Sequence, residues 1–449
     1  MTYLLGGSFI VESYFAVPGI GWTVLRPQHR RRRAGTPPQQ PRAGRVTMIL
    51  GRPRSAAPPP VAASPRPASR QSVEATALAV AAKPVAPDAT APDTSTAGSR
   101  VAGTSTTGMV AAEPPLFQCQ ALRCEVGPAA CPVRVLHGID LRLGSRRALG
   151  IVGESGAGKS MLIKTIMGLQ PAGVRVSGRV ALGGTDLGTL RDDRRRALLG
   201  RRVGMMFQNP MTSLNPFVRV GQQMQEASRF HRGLNRAEAR ALAISLLRTV
   251  GIPDAEACHR QYPHQFSGGM KQRIMIATAL ACEPELLIAD EATTALDVTV
   301  QRGILDLLGR LQRERHMSMI LVTHNLGIVA GRTDEVLVLY AGRVVEHGPT
   351  EAVFRRPRHR YTEALIAAMP RLDQPAHARL RTIPGQPPNL LDPPAGCPFA
   401  PRCPAAKARC HREMPPETTE RTPDGVAHRF SCWVPVDRAT TPSLAEAVP

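Results

Sequence analysis

The 449-residue chain has room for two or three domains, carries a formal net charge of +22 and contains nine cysteines. Of that charge, +8 comes from residues 27–113 alone, where 12 Arg and Lys face 4 Asp and Glu, so the excess does not amount to one organised basic face. No stretch approaches the roughly 20 continuous apolar residues of a spanning helix, and the odd cysteine count argues for a reducing compartment, with the cytosol expected.

Residues 1–26 are apolar but broken by glycine and proline, without the positive flank and cleavage pattern of a secretory signal. Residues 27–114, which open with Arg30 to Arg33, are rich in Pro, Ala, Ser, Thr and Arg. They hold little that can be buried to offset ordering entropy, and the composition predicts a disordered linker. The arginine run can contact phosphates or serve as a solvated tail. Ordered sequence is expected from about Leu116, with strands up to Gly138.

An apolar run, Ala148 to Val152, leads into the octet Gly153, Glu154, Ser155, Gly156, Ala157, Gly158, Lys159 and Ser160, and then a helix-like run, Met161 to Met167, stopped by Gly168. Strand, G-x-x-x-x-G-K-S loop and helix together make a phosphate cradle, and all eight residues are assigned to it. Its glycines allow backbone N–H groups to close on phosphates, and the helix start adds partial positive charge. Lys159 is placed for the β- and γ-phosphates and Ser160 for Mg²⁺. The bland alternative is a chance glycine-rich turn before a helix.

Asn235 predicts a capped helix from Arg236 to Val250, stopped by Gly251 and Pro253. Phe266 to Arg273, with Ser267, Gly268, Gly269 and Met270 at its centre, opens a second glycine-rich helix start, predicted to run from Gln272 to Cys282. One nucleotide hardly needs two cradles, so a head-to-tail pairing is expected, this element covering the γ-phosphate held by another subunit. Two further apolar strands, Leu286–Ala289 and Met319–Val322, complete an α/β pattern with a largely parallel sheet and ligands beyond its carboxyl edge. At that edge Asp290 is assigned to Mg²⁺ through water and Glu291 to general base.

In this order the motifs resemble those of the ATP-binding subunits of ABC transporters. The resemblance implies an α/β P-loop NTPase of ABC type, with a RecA-like core sheet, an antiparallel β subdomain and a helical subdomain. Gln208, after Val203 to Phe207, resembles the family's glutamine loop, which senses Mg²⁺ and the coupling surface. Ala295-Leu296-Asp297 resembles its dimer-contact loop, and Thr323-His324 its switch, His324 contacting the γ-phosphate. Phe207 to Pro216, Thr294 to Gln301 and Arg360 to Leu365 are similar to the peptide/nickel importers within the family, and the chain resembles their oligopeptide/dipeptide type. This implies two permease subunits, a second homologous ATPase (or a second copy), indirectly a solute-binding protein, and a peripheral place on the cytoplasmic face of the plasma membrane.

On this resemblance residues 115–355 form the ATPase domain and residues 356–449 a cysteine-rich extension. Cys397, Cys403, Cys410 and Cys432 can hold a [4Fe–4S] cluster or zinc, or be ordinary thiols, and the resemblance implies the iron–sulfur cluster. The other five cysteines stand isolated. Three positions depart from the family. Val126 falls where an aromatic stacks on adenine, Met270 where many members carry glutamine, and Asn325 where aspartate is commoner. Residues 6–22 resemble a fragment of a permease of the same class, which is expected if a fused or frameshifted upstream reading frame is present and translation begins near Met109, the rival being a genuine membrane-associating arm. The rival from another class is a soluble ABC ATPase acting on nucleic acid, supported by the charge and Arg30 to Arg33. A non-enzymatic regulatory subunit is a third, which Lys159, Asp290, Glu291 and His324 oppose.

Overall fold

The computed structural model describes residues 114–128, 131–171, 173–208, 213–291, 297–370 and 381–437. The expectations for the first 113 residues, including Met109, and for Ala295 and Leu296 lie outside them.

Two sheets organise the described chain. β1 (Phe117–Val126), β2 (Val133–Leu143), β4 (Arg175–Leu182) and β5 (Thr185–Asp186) make an antiparallel sheet in the order β2-β1-β4-β5. The second sheet has a parallel part: β3 (Ala148–Val152), β6 (Val203–Met206), β7 (Leu286–Asp290), β8 (Ser318–Thr323) and β9 (Glu335–Tyr340). Three antiparallel strands extend it: β10 (Arg343–Pro349), β11 (Thr418–Arg421) and β12 (Ala427–Phe430). The order of its eight strands is β11-β12-β10-β9-β3-β8-β7-β6.

The apolar runs of β3, β7 and β8 are buried along their whole length, as strands covered on both faces must be. Alternation then divides them between two cores. Leu149, Ile151, Leu286, Ile288, Ile320 and Val322 face the core shared with β1, β2 and the helix Lys159–Met167. Ala148, Val152, Leu287, Ala289, Met319 and Leu321 face the core built with the helices Gly268–Ala279 and Val298–Glu314.

The predicted strands are present, β7 and β8 each a residue or two longer than expected, and Asn235 caps the helix Arg236–Thr249. Its side chain accepts from the Ala237 and Glu238 N–H groups while Glu238 Oε2 accepts from Asn235 N–H, a reciprocal capping box. The helix expected over 272–282 is displaced: it spans Gly268–Ala279, because Ser267 caps it by accepting from Met270 N–H.

The C-terminal segment does not stand apart. β10 pairs with β9 on one side and with β12 on the other, and β11 closes the edge. Beneath that seam Glu346 is fully buried and accepts from the Arg358 and His359 N–H groups at 2.7 and 2.9 Å, with His428 Nε2 at 2.8 Å. Cys397, Phe399, Ala400 and Cys410 of the same segment pack into the core that includes Ala148 and Val152 of β3.

Candidate nucleotide site

The carboxyl ends of β3, β6, β7 and β8 share one edge of the sheet, and the loops that leave them carry the expected residues. Gly153 to Gly158 form the loop between β3 and the helix Lys159–Met167. Gly156 and Gly158 have φ of 81° and 103°, which L side chains rarely adopt. At Gly153 a Cβ would come within 2.2 Å of the Leu339 carbonyl oxygen, so only glycine fits against β9. Ser155 and Gly156 are the exposed crest of the loop, whereas Ala157 is buried and its N–H folds back to the Glu154 carbonyl oxygen at 3.1 Å. Ser155 lies in the loop between β3 and that helix, at its exposed crest. The motif asks for no particular side chain at that position.

Lys159 is buried, and its ammonium donates to the carbonyl oxygens of Gly153 and Glu154 at 2.7 and 3.0 Å. Burial lowers its pKa, and the nearby Glu291, Asp290 and Glu154 carboxylates work against that shift. Asp290 ends β7. Burial, and after it the charge of Glu291, pushes its carboxyl up to about 6, with Lys159 and a hydrogen bond from Ser160 pulling the other way. Its Oδ1 is buried and has no hydrogen-bond partner. A carboxylate oxygen held dry and unpartnered next to a P-loop serine is a fit for a hard divalent cation, which prefers oxygen ligands.

Glu291 follows with φ 46°, a left-handed backbone unusual for a residue with a side chain. Such a conformation costs on the order of 1–3 kcal/mol and persists where the surroundings fix it. Here the Glu291 N–H is tied to the Val322 carbonyl oxygen at 2.9 Å. Its side chain, largely buried, accepts from Gln208 Nε2 at 2.7 Å through Oε2, and His324 Nδ1 lies 3.4 Å from Oε1. Residues 83 and 33 positions away along the chain thus meet on one carboxylate. Asn325, one residue on, accepts from Gly327 N–H and starts a short helix, a local role open to aspartate as well.

Ser267 and Gly268 are exposed at the start of their helix, and Gly269 lies so close to Val300 that a Cβ would sit 2.8 Å from its Cγ1. Asp297 caps the helix Val298–Glu314 by accepting from Val300 N–H at 2.9 Å. Val126 is the last residue of β1, paired with Val133.

The fourfold cysteine expectation is not supported. The thiols of Cys397, Cys403, Cys410 and Cys432 are near enough to influence one another: burial pushes Cys397 up to about 11, and Cys432 and Cys410 add to it. Yet among the described residues no group of three or more His, Cys, Asp or Glu is arranged to hold a metal ion. The segment's own turns and the core absorb these residues instead. Cys397 N–H donates to the Cys410 carbonyl oxygen at 2.7 Å, Cys410 Sγ accepts from Lys407 N–H at 3.4 Å, and Cys397 and Cys410 pack against apolar neighbours. Of the five isolated cysteines, Cys119, Cys124, Cys258 and Cys282 are buried and Cys131 is exposed.

Sequence reasoning did not find what lies on the other side of the phosphate loop. The Glu154 carboxylate forms a two-pronged ion pair with Arg402, at 2.6 and 3.0 Å, and the Glu154 N–H donates to the Tyr361 hydroxyl at 2.8 Å. Tyr361 lay inside a run quoted only for its family likeness. Arg402, 248 residues from its partner, gave no local signal.

A glycine-rich loop at a helix start, a buried carboxylate oxygen without a partner and a carboxylate held between glutamine and histidine together define a P-loop nucleotide-hydrolysing site of the ABC kind. The matches agree: the family model "ABC transporter" covers residues 136–294, and the model "Oligopeptide/dipeptide transporter, C-terminal region" covers residues 345–410. The oligopeptide transport ATP-binding protein OppD of Salmonella typhimurium is 45% identical over 315 residues, 70% of this chain and 94% of the relative. The dipeptide transport ATP-binding proteins DppD of Bacillus subtilis and of Escherichia coli are 45% and 44% identical, covering 68% and 73% of this chain and 91% and 99% of the relatives. The chain belongs to the oligopeptide/dipeptide family of ABC transporter ATP-binding subunits and is an ABC-type ATPase.

Proposed function

We propose that this chain hydrolyses ATP to energise import of di- and oligopeptides through a membrane transporter. The observation that carries the reading is the meeting of Gln208, Glu291 and His324 beside the Asp290–Ser160 pair. The names of the relatives supply the peptide class.

In this reading Gly153, Glu154, Ser155, Gly156, Ala157 and Gly158 wrap the phosphates of ATP with their backbone, and the Lys159 ammonium joins them. Mg²⁺, held by Ser160, Asp290 and Gln208, supplies neutralisation of phosphate charge when bound. Glu291 is the general base: Gln208 and His324 aim its carboxylate, which takes a proton from the attacking water. His324, with more than half of its side chain exposed, is free to turn toward the γ-phosphate. Ser267, Gly268, Gly269 and Met270 are assigned to the nucleotide of an opposing subunit and Asp297 to the contact between the two. Closure around two nucleotides and reopening after hydrolysis would pass through the Gln208 loop to two permeases.

The opposing subunit is a second homologous ATPase or another copy, and the pair sits peripherally at the cytoplasmic face of the plasma membrane. Among the described residues no helix is long and apolar enough to cross a membrane. Residues 115–355 are assigned to the ATPase domain, 356–449 to the peptide-importer extension, 27–114 to a linker and 1–26 to a permease-like fragment. The nucleic-acid reading has no support among the relatives.

The test is a mild-detergent pull-down of tagged protein from its own host, with and without nuclease. Two permeases and a second ATPase that survive nuclease treatment are the expected result. Nucleic acid recovered without membrane partners would overturn the reading.

A further inference from the structure

We propose that the C-terminal segment is a built-in part of the nucleotide site, with Arg402 and Tyr361 as positioning residues that neutralise and anchor the phosphate loop at Glu154. The proposal rests on the ATP reading above and extends it to residues outside the motifs of the ATPase core.

The first observation is electrostatic. Glu154 places a carboxylate inside a loop whose proposed ligand is a polyanion, and like charges in a partly dry site repel strongly. Arg402 cancels that charge with a paired fork, at 2.6 and 3.0 Å, and its own side chain is only 4% exposed. Arginine suits this because its planar group offers two parallel donors to a carboxylate, which lysine does not.

The second observation is that Arg402 is itself held rigidly. Its five N–H donors meet five acceptors: both Glu154 oxygens, the Tyr340 hydroxyl at 3.2 Å, and the carbonyl oxygens of Pro384 at 2.8 Å and Ile383 at 3.3 Å. The rings of Tyr340, Tyr361 and Phe399 pack beside it with centroids 4.4–5.5 Å apart.

A third observation concerns the loop backbone. Tyr361, fully buried, takes the Glu154 N–H at 2.8 Å and so ties the base of the loop to the C-terminal segment. Pro387, Pro388 and Leu390 line the same small cleft as Glu154, Ser155 and Ala157. The segment therefore touches the loop by ion pair, by hydrogen bond and by packing.

The test is equilibrium binding of ATP with Mg²⁺ by the full-length chain, with folding checked by circular dichroism. Arg402→Met is expected to weaken ATP binding about tenfold or more, the scale of a lost charge-assisted pair and an exposed uncompensated charge. Adding Glu154→Gln to it removes that charge and should recover most of the affinity, which a purely structural loss would not allow. In turnover assays Arg402→Met should raise KM for ATP far more than it lowers kcat. An unchanged Kd in Arg402→Met, or no recovery in the double variant, overturns the proposal. Should Arg402→Met not fold, Arg402→Lys decides: it keeps the charge but loses the fork, so a rise of about threefold is expected and an unchanged Kd overturns the proposal. Wild-type protein that binds no ATP, like a Lys159→Ala control, would remove the ATP reading itself. Wild-type binding with an indifferent Arg402→Met removes only this inference.

Discussion

The two sides of the nucleotide site are built on opposite principles. On the side of Glu154 every donor of a buried arginine is matched, the loop amide is taken by a tyrosine, and aromatic rings fill the space behind. On the side of Asp290 and Glu291 an oxygen is buried without a partner, a carboxyl is pushed up to about 6, and a glutamate sits in left-handed backbone. Saturated contacts hold a part whose shape must not change; unsatisfied ones mark a part that must exchange partners with ligand, metal and water. The contrast separates what the fold commits to rigidity from what it gives up for chemistry.

The largest expected effect lies on the open side. Glu291→Gln should lower phosphate release by the assembled transporter about 10²–10⁴-fold, the usual worth of a general base, and accumulate an ATP-bound closed dimer seen as a larger species on size exclusion. Undiminished turnover would remove Glu291 from the role of base.

Next comes stability without ligand. Asp290's carboxyl, raised from an ordinary 3.8 to about 6, stabilises the folded state only where it is protonated, and that contribution is lost as pH rises through about 6. At about pH 8 Asp290→Asn should therefore unfold at higher urea than wild type, by roughly 3 kcal/mol of unfolding free energy, while losing Mg²⁺-dependent turnover. Equal or lower stability would mean that this side carries no such cost.

On the braced side the predictions run the other way and are smaller. Burial lowers the ring of His359 from an ordinary 6.5 to about 3. The unfolded chain binds a proton in that window and the folded chain does not, so stability is present above 6.5 and falls on acidification. Between about pH 7.5 and about pH 5.5 His359 should account for a loss of about 1.4 kcal/mol, absent in His359→Asn. Its Nδ1 accepts from Tyr361 N–H, so acid should loosen the brace from its base. Smallest is Tyr361→Phe, expected to cost about 1 kcal/mol in urea unfolding for one lost hydrogen bond.

The open side was the more legible in sequence. Its strands announce themselves as short apolar runs, the loop by glycines that need positive φ, and the carboxylates by following a buried strand. Even so, the convergence of Gln208 and His324 on Glu291 came from family likeness, since nothing in spacing alone joins positions 83 and 33 residues apart. The braced side was nearly invisible. Arg402 sits in a proline- and cysteine-rich stretch whose composition speaks of loops and metals, and its partner is 248 residues upstream. Four thiols on one segment drew attention to coordination chemistry, whereas the fold uses that segment's arginine and phenylalanine. Periodicity reports which face is buried, not which charge a buried charge will find.

The late arrival of that segment in the chain has a consequence for synthesis. β10 is translated well before β12, its neighbour in the sheet, and Glu154 long before Arg402. A nascent chain on the ribosome thus carries an unpaired strand edge at β10 and a bare carboxylate in the phosphate loop until β12 and Arg402 have emerged. On the inference above, full affinity for nucleotide would be reached only once Arg402 and β12 are in place, and a product truncated before them would expose a sticky edge to quality control.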